Sequence, residues 1–143
     1  MLLMSDADAN RNSASPPLGI ILLYHGSAEE EWARAAQWLC AMVASSQPGS
    51  VVRTACVKDF HPSMDDAAGS LQSAGVTRAL VAPIFIAPGG HVARDFPKIA
   101  EDLKKRWPGM EFIWTDVAGT WEEVGQAVVS GIGARMGRLK SRD

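Results

Sequence analysis

No apolar run in this chain approaches the length of a membrane span, and no basic surplus marks it for nucleic acid. Lysine and arginine number 14 against 16 acidic residues, a formal net charge of −2, where a dedicated nucleic-acid binder would carry a strong positive excess. Cysteine is scarce. Cys40 and Cys56 are the only two and form no CxxC pair, which excludes a disulfide scaffold and a thiolate zinc site and leaves two small core hydrophobes suited to a reducing compartment. Several common catalytic signatures are missing as well. There is no GxxxxGKS or GxxxxGKT, no GxSxG and no HExxH, so P-loop nucleotide binding, serine hydrolysis on a nucleophile elbow and zincin chemistry have no anchor here. Gly131-Ile132-Gly133 falls inside a predicted helix instead of after a strand, so no dinucleotide fingerprint is present.

What is there is the grammar of an α/β domain. The 143 residues suit one domain. The first 17, rich in Ser, Asp, Asn, Ala and Pro, lack the basic start and apolar centre of a secretory signal. They read as a disordered leader ahead of a domain over 18–137, with a basic tail at 138–143, and the expected compartment is the cytoplasm.

Leu18 to Tyr24 is a continuous apolar run and the first strand. From Ala28 to about Ser46, Trp32, Ala35, Ala36, Leu39, Met42 and Val43 recur at helical spacing. Val51 to Val57 is the second strand, and Ser63 with Asp66 three residues on predicts a helix cap for a segment from Met64 to Ala74. Arg78 to Ile86 is the third strand. Val92 to Trp107 follows as a helix that starts or kinks near Phe96 because of Pro97. Glu111 to Trp114 is a short fourth strand, and Thr120 to about Gly137 a last helix with Thr120 as its cap. The five tryptophans are assigned mostly to the core. Strands alternating with helices imply right-handed crossovers. The expected fold is a single flavodoxin-like α/β domain: a four-stranded parallel sheet of order 2-1-3-4 with helices on both faces.

Two of these strands end alike. Tyr24 is followed by His25-Gly26-Ser27, and Val81-Ala82-Pro83-Ile84-Phe85-Ile86 by Ala87-Pro88-Gly89-Gly90-His91. Ligands of open α/β sheets bind outside the carboxyl ends of the strands, so two of the chain's three histidines are expected on one cleft. Two imidazoles suit a borderline divalent cation such as Co²⁺, Fe²⁺, Ni²⁺ or Zn²⁺. With only two protein ligands such an ion keeps open positions and can be handed on, and a neutral imidazole can accept a proton near pH 7.

Ile21-Leu22-Leu23-Tyr24-His25-Gly26-Ser27, His61-Pro62-Ser63-Met64 and the stretch from Val81 to Pro97 together resemble the small class II chelatases of the CbiX and SirB type, the sirohydrochlorin cobaltochelatases and ferrochelatases. Ala118-Gly119-Thr120 resembles that family's Leu-Gly-Thr. The resemblance implies a lyase inserting Co²⁺ or Fe²⁺, with Ni²⁺ a further option, into a polycarboxylate tetrapyrrole on the route to cobalamin or sirohaem. It implies His25 and His91 as metal-binding and catalytic residues. Ser27, Gly89, Gly90 and Arg94, with Lys58 and Lys98 nearby, would receive substrate carboxylates. The metal is then a substrate, no organic cofactor is needed, and a homodimer supplies the second half of the cleft, with neither nucleic acid nor membrane as partner. Two places depart from the family pattern: the stretch Ala28-Glu29-Glu30 stands where the family often has Arg-Asp-Pro, and Lys58 where it commonly has a glutamate. They keep open a non-catalytic tetrapyrrole or metal carrier of the same fold, and an FMN or phosphate binder is a third reading.

Overall fold

β1 (Leu18–Tyr24) is the strand from which both cores grow. The computed structural model describes residues 14–57 and 59–142, with residues 91–93 described by their backbone alone. Strand alternation sends Ile21 and Leu23 to one face and Leu22 and Tyr24 to the other. Burial on both faces is why the run carries no charged residue. β2 (Val51–Cys56) and β3 (Arg78–Pro83) flank β1, and β4 (Glu111–Trp114) pairs with β3, all parallel. The order β2-β1-β3-β4 is the one the sequence predicts. Registers align Ile20 with Leu80 and Leu80 with Ile113, one row across three strands.

α2 (Met64–Ser73) and α3 (Gly90–Arg106) cover the face of Ile21 and Leu23, with Leu71 and Leu103 fully buried there. Asp65 ties the two helices, accepting from Trp107 Nε1 at 2.9 Å and pairing with Arg106 at 2.5 Å. α1 (Glu30–Ser46) covers part of the opposite face through Trp32, Ala36, Leu39, Cys40 and Val43. A 3₁₀ turn, Ala118–Thr120, then leads through Trp121 into α4 (Glu122–Lys140). No residue of α4 is buried, and its main packing partner is that 3₁₀ turn.

Several boundaries differ from expectation. β3 stops at Pro83 instead of Ile86: the Ile84 N–H still donates to Leu23 O at 2.8 Å, but Phe85 O accepts from the Gly119 N–H at 2.8 Å, so the ladder yields to the 3₁₀ turn. β2 likewise ends one residue short of Val57. α1 starts at Glu30, two residues after Ala28, because Ser27 Oγ holds the Glu29 N–H at 3.1 Å in a local turn. α3 starts at Gly90 and runs through Pro97. Proline removes one backbone donor, and Phe96 anchors this stretch between Phe85 at 5.8 Å and Trp114 at 5.6 Å, ring centre to ring centre. Thr120 does not cap α4; its hydroxyl donates to Val117 O at 2.8 Å, and Trp121 takes the cap position without a side-chain bond. α4 continues to Lys140, with Arg138 and Lys140 in its last turn, where cations suit the helix dipole. On α1, Ala35 and Met42 do not face the core as their spacing predicts, and Trp38 is a tryptophan outside the core, 65% exposed.

Candidate functional site at the carboxyl rim of the sheet

The carboxyl ends of β1, β2 and β3 lie side by side, Tyr24 paired with Cys56 and Leu23 with Pro83. Each of the three strands is followed on this rim by a histidine, His25 and His61 in the loops after β1 and β2 and His91 at the second position of α3, after the β3 loop. The rim is held by backbone bonds. Val57 N–H donates to Tyr24 O at 2.9 Å, and Cys56 N–H to Pro62 O at 2.7 Å, which folds the β2–α2 loop back on its strand.

His25 is exposed directly after the buried Tyr24. Its Nδ1 lies 3.1 Å from Gly26 O. A carbonyl only accepts, so this bond needs the proton on Nδ1 and leaves the Nε2 lone pair for a cation or a proton. The ring of Phe60 stands beside it at 6.3 Å. Gly26 has φ +98, and a Cβ there would come within 2.6 Å of Phe60 Cβ, so only glycine lets the two loops meet. Ser27 Oγ is engaged by the Glu29 N–H.

His61 is the residue that sequence reasoning missed as a site candidate. Its Nδ1 lies 2.8 Å from Asp66 Oδ2, an exposed pair at the head of α2. The same carboxylate oxygen accepts from the Ser63 N–H at 2.7 Å while Ser63 Oγ accepts from the Asp66 N–H at 3.1 Å, completing the predicted capping box. These bonds, the Ser63 N–H first and His61 next, pull the Asp66 carboxyl down from 3.8 to about 2. A carboxylate on one nitrogen orients an imidazole and fixes its tautomer, so His61 presents Nε2 outward. The signal in the sequence was a histidine five residues before an aspartate at a third strand end.

Gly89, in extended conformation, precedes Gly90, which opens α3 with φ +74. The first turn of α3 has no side-chain cap and no acidic residue. Its backbone N–H groups are thus free of internal partners at the positive end of a helix. Gly89, Gly90 and Arg94 are exposed. The backbone of His91 sits in this first turn, on the rim shared with His25; its side chain and Lys58 lie outside the described residues. Among the described residues, no three His, Cys, Asp or Glu side chains gather to hold a metal ion. Behind the rim, burial and then the neighbouring Cys40 and Cys56 push the Tyr24 phenol up to about 12, and its buried hydroxyl has no partner among the described residues. Burial raises both free thiols as well. Neither phenol nor thiols supply a titrating group to the rim near neutrality.

The family model described as CbiX matches residues 19–134. A sirohydrochlorin cobaltochelatase of Saccharolobus islandicus is 27% identical over 125 residues, covering 80% of this chain and 93% of that protein. The chloroplastic sirohydrochlorin ferrochelatase of Arabidopsis thaliana is 28% identical over 109 residues, 76% of this chain and 48% of that one. Among solved structures, a CbiX protein of Marinobacter aquaeolei VT8 superposes with a TM-score of 0.77 at 26% identity, covering 87% of this chain and 98% of that chain.

Proposed function

The chain belongs to the CbiX family, and from that premise we propose that it is a class II chelatase, a lyase that inserts Co²⁺ or Fe²⁺ into sirohydrochlorin. The observation that carries this reading is the placement of His25 and the backbone of His91 after adjacent, in-register parallel strands, on one rim. Similar proteins named as sirohydrochlorin cobaltochelatase and ferrochelatase support it. In the reaction the metal forms bonds to the macrocycle nitrogens and two pyrrole N–H bonds break, releasing two protons. His25 and His91 bind the incoming cation through ring nitrogens and let it go. His61, oriented by Asp66 on the same rim, accepts a proton on Nε2. The uncapped N–H groups after Gly89 and Gly90, with Arg94 and Ser27, receive substrate carboxylates. Metal is a substrate throughout, Ni²⁺ included as a test ion, and no organic cofactor takes part. The setting is cytoplasmic, in keeping with two free thiols and with the absence of any helix long and apolar enough to cross a membrane among the described residues. Two copies pair to give the macrocycle a second wall.

The test is a spectrophotometric metalation assay that follows the macrocycle absorbance with Co²⁺, Fe²⁺ and Ni²⁺ in turn. The wild type accelerates metalation, and His91→Ala or His25→Ala lowers the rate by about 100-fold or more. An unchanged rate in both variants overturns the assignment of these residues. Tight tetrapyrrole binding without turnover in the wild type replaces it with the carrier reading, which Lys58 at the family's glutamate position favours.

A further inference from the structure

A histidine that receives a cation and hands it on needs one ring nitrogen free and aimed at a fixed place, because every other orientation the ring samples lowers affinity. His25 has little of its own to fix it. It is exposed, and among the described residues the one hydrogen bond its ring makes is the local one from Nδ1 to Gly26 O at 3.1 Å. A neutral imidazole otherwise divides its proton between two nitrogens and turns broadly about χ2.

Phe60 stands where it can hold that ring. The two ring centres are 6.3 Å apart with the planes at 49°, within the range over which aromatic rings attract. The Cβ, Cγ and Cδ2 atoms of Phe60 lie over Gly26, where a side chain on residue 26 would meet them at 2.6–2.8 Å. Phe60 does little else. It is half-buried, and among the described residues it packs with neither core cluster and with no aromatic ring besides His25. A phenylalanine so placed gives up part of the free energy that full burial would bring, which packing alone does not account for. Both partners rest on firm supports. Cys56 N–H donates to Pro62 O at 2.7 Å and Cys56 bridges to Ser63, so the loop that carries Phe60 is clamped on its own strand. Tyr24, immediately before His25, is buried edge-on against Trp32 at 5.4 Å and 84°.

We infer that Phe60 is a positioning residue for His25: its ring holds the imidazole with Nδ1 donating to Gly26 O and the Nε2 lone pair turned off the rim, a role that rests on reading His25 as a metal-binding residue. The test titrates the full chain, cleared of metal, with Co²⁺ alone and follows the visible absorption of the ion, which reports its donor set. His25→Ala binds Co²⁺ about 10-fold or more weakly than the wild type. Phe60→Leu, which keeps apolar bulk over Gly26 but has no ring, weakens binding by roughly 10-fold, as losing a group that orients a metal-binding imidazole does. Phe60→Tyr, which keeps the ring, restores wild-type affinity. Ring ¹⁵N spectra in mildly alkaline solution give a readout that lost packing would not move. The His25 signals, identified by their absence in His25→Ala, show the proton on Nδ1 in the wild type and in Phe60→Tyr, and divided between both nitrogens in Phe60→Leu. Equal Co²⁺ binding by the wild type and His25→Ala removes the reading of His25 as a metal ligand and the positioning role with it. Weaker binding in His25→Ala alone, with Phe60→Leu matching the wild type, leaves that reading intact and overturns the role of Phe60. So does a wild type with the proton on Nε2, or a Phe60→Leu that binds weakly with the proton still wholly on Nδ1.

Discussion

Replacing Gly119 with alanine tests the link between the 3₁₀ turn and the loop that leads to His91. An added Cβ would lie 2.5 Å from Ile86 Cα and nearer still to the Ile86 carbonyl. Both colliding groups are backbone, so no side chain can swing aside, and the two segments must part by roughly 1 Å. That movement breaks the Gly119 N–H bond to Phe85 O, 2.8 Å in the wild type. The lost bond costs about 0.5–1.5 kcal/mol and the overpacking about 1–3 kcal/mol. The expected destabilisation is therefore about 2–4 kcal/mol, and for a domain of this size Tm falls by roughly 8–15 °C. Far-UV circular dichroism measures it in thermal and urea melts. Gly133→Ala is the control: nothing stands within 4 Å of its Cβ, and alanine suits an exposed helix, so stability is unchanged or higher. A fall of less than about 2 °C in Gly119→Ala, or an equal fall in Gly133→Ala, would refute the reasoning.

Gly26→Ala combines a left-handed backbone at φ +98 with a clash on Phe60; urea melts should register a loss of about 2–4 kcal/mol. Adding Phe60→Gly, which removes the Cβ as well as the ring, should recover only the steric share, so a double variant as stable as the Phe60→Gly single one would show that the backbone term is absent. Acid sensitivity is the other expectation. Because the Asp66 carboxyl is held at about 2 in the folded chain against an ordinary 3.8, its contribution is complete above about pH 4 and drains away as pH falls towards 2. Asp66→Asn should flatten the decline in stability across that window, and parallel pH profiles for the two proteins would count against the capping network.

The sheet was legible because β1 and β3 are apolar runs bounded by glycine, proline and histidine, and the helices between the strands force parallel crossovers. The same rule predicts one rim for His25 and His91, and the backbone of both positions follows the carboxyl ends of adjacent strands. Other features depend on partners distant in sequence. Phe85 ends the third ladder because its carbonyl finds Gly119, and nothing local announces that. His61 becomes a site candidate only once Asp66 is seen to hold its ring. The stripe on α4 reads the same whether or not it meets a partner, so periodicity could not foresee that no residue of this helix is buried. Met42 and Trp38 escaped for a related reason: their spacing on α1 is helical, but the flank they occupy borders the open face.

The loops at the rim are tied down chiefly through main-chain bonds, Val57 to Tyr24, Cys56 to Pro62, Ile84 to Leu23 and Gly119 to Phe85. Side chains at exposed positions such as Asp59, Ala87 and Pro88 take no part in those ties. Mutational drift at such positions can therefore change the surface the rim presents while leaving foldability almost untouched, a separation that lets one scaffold diversify by surface changes alone.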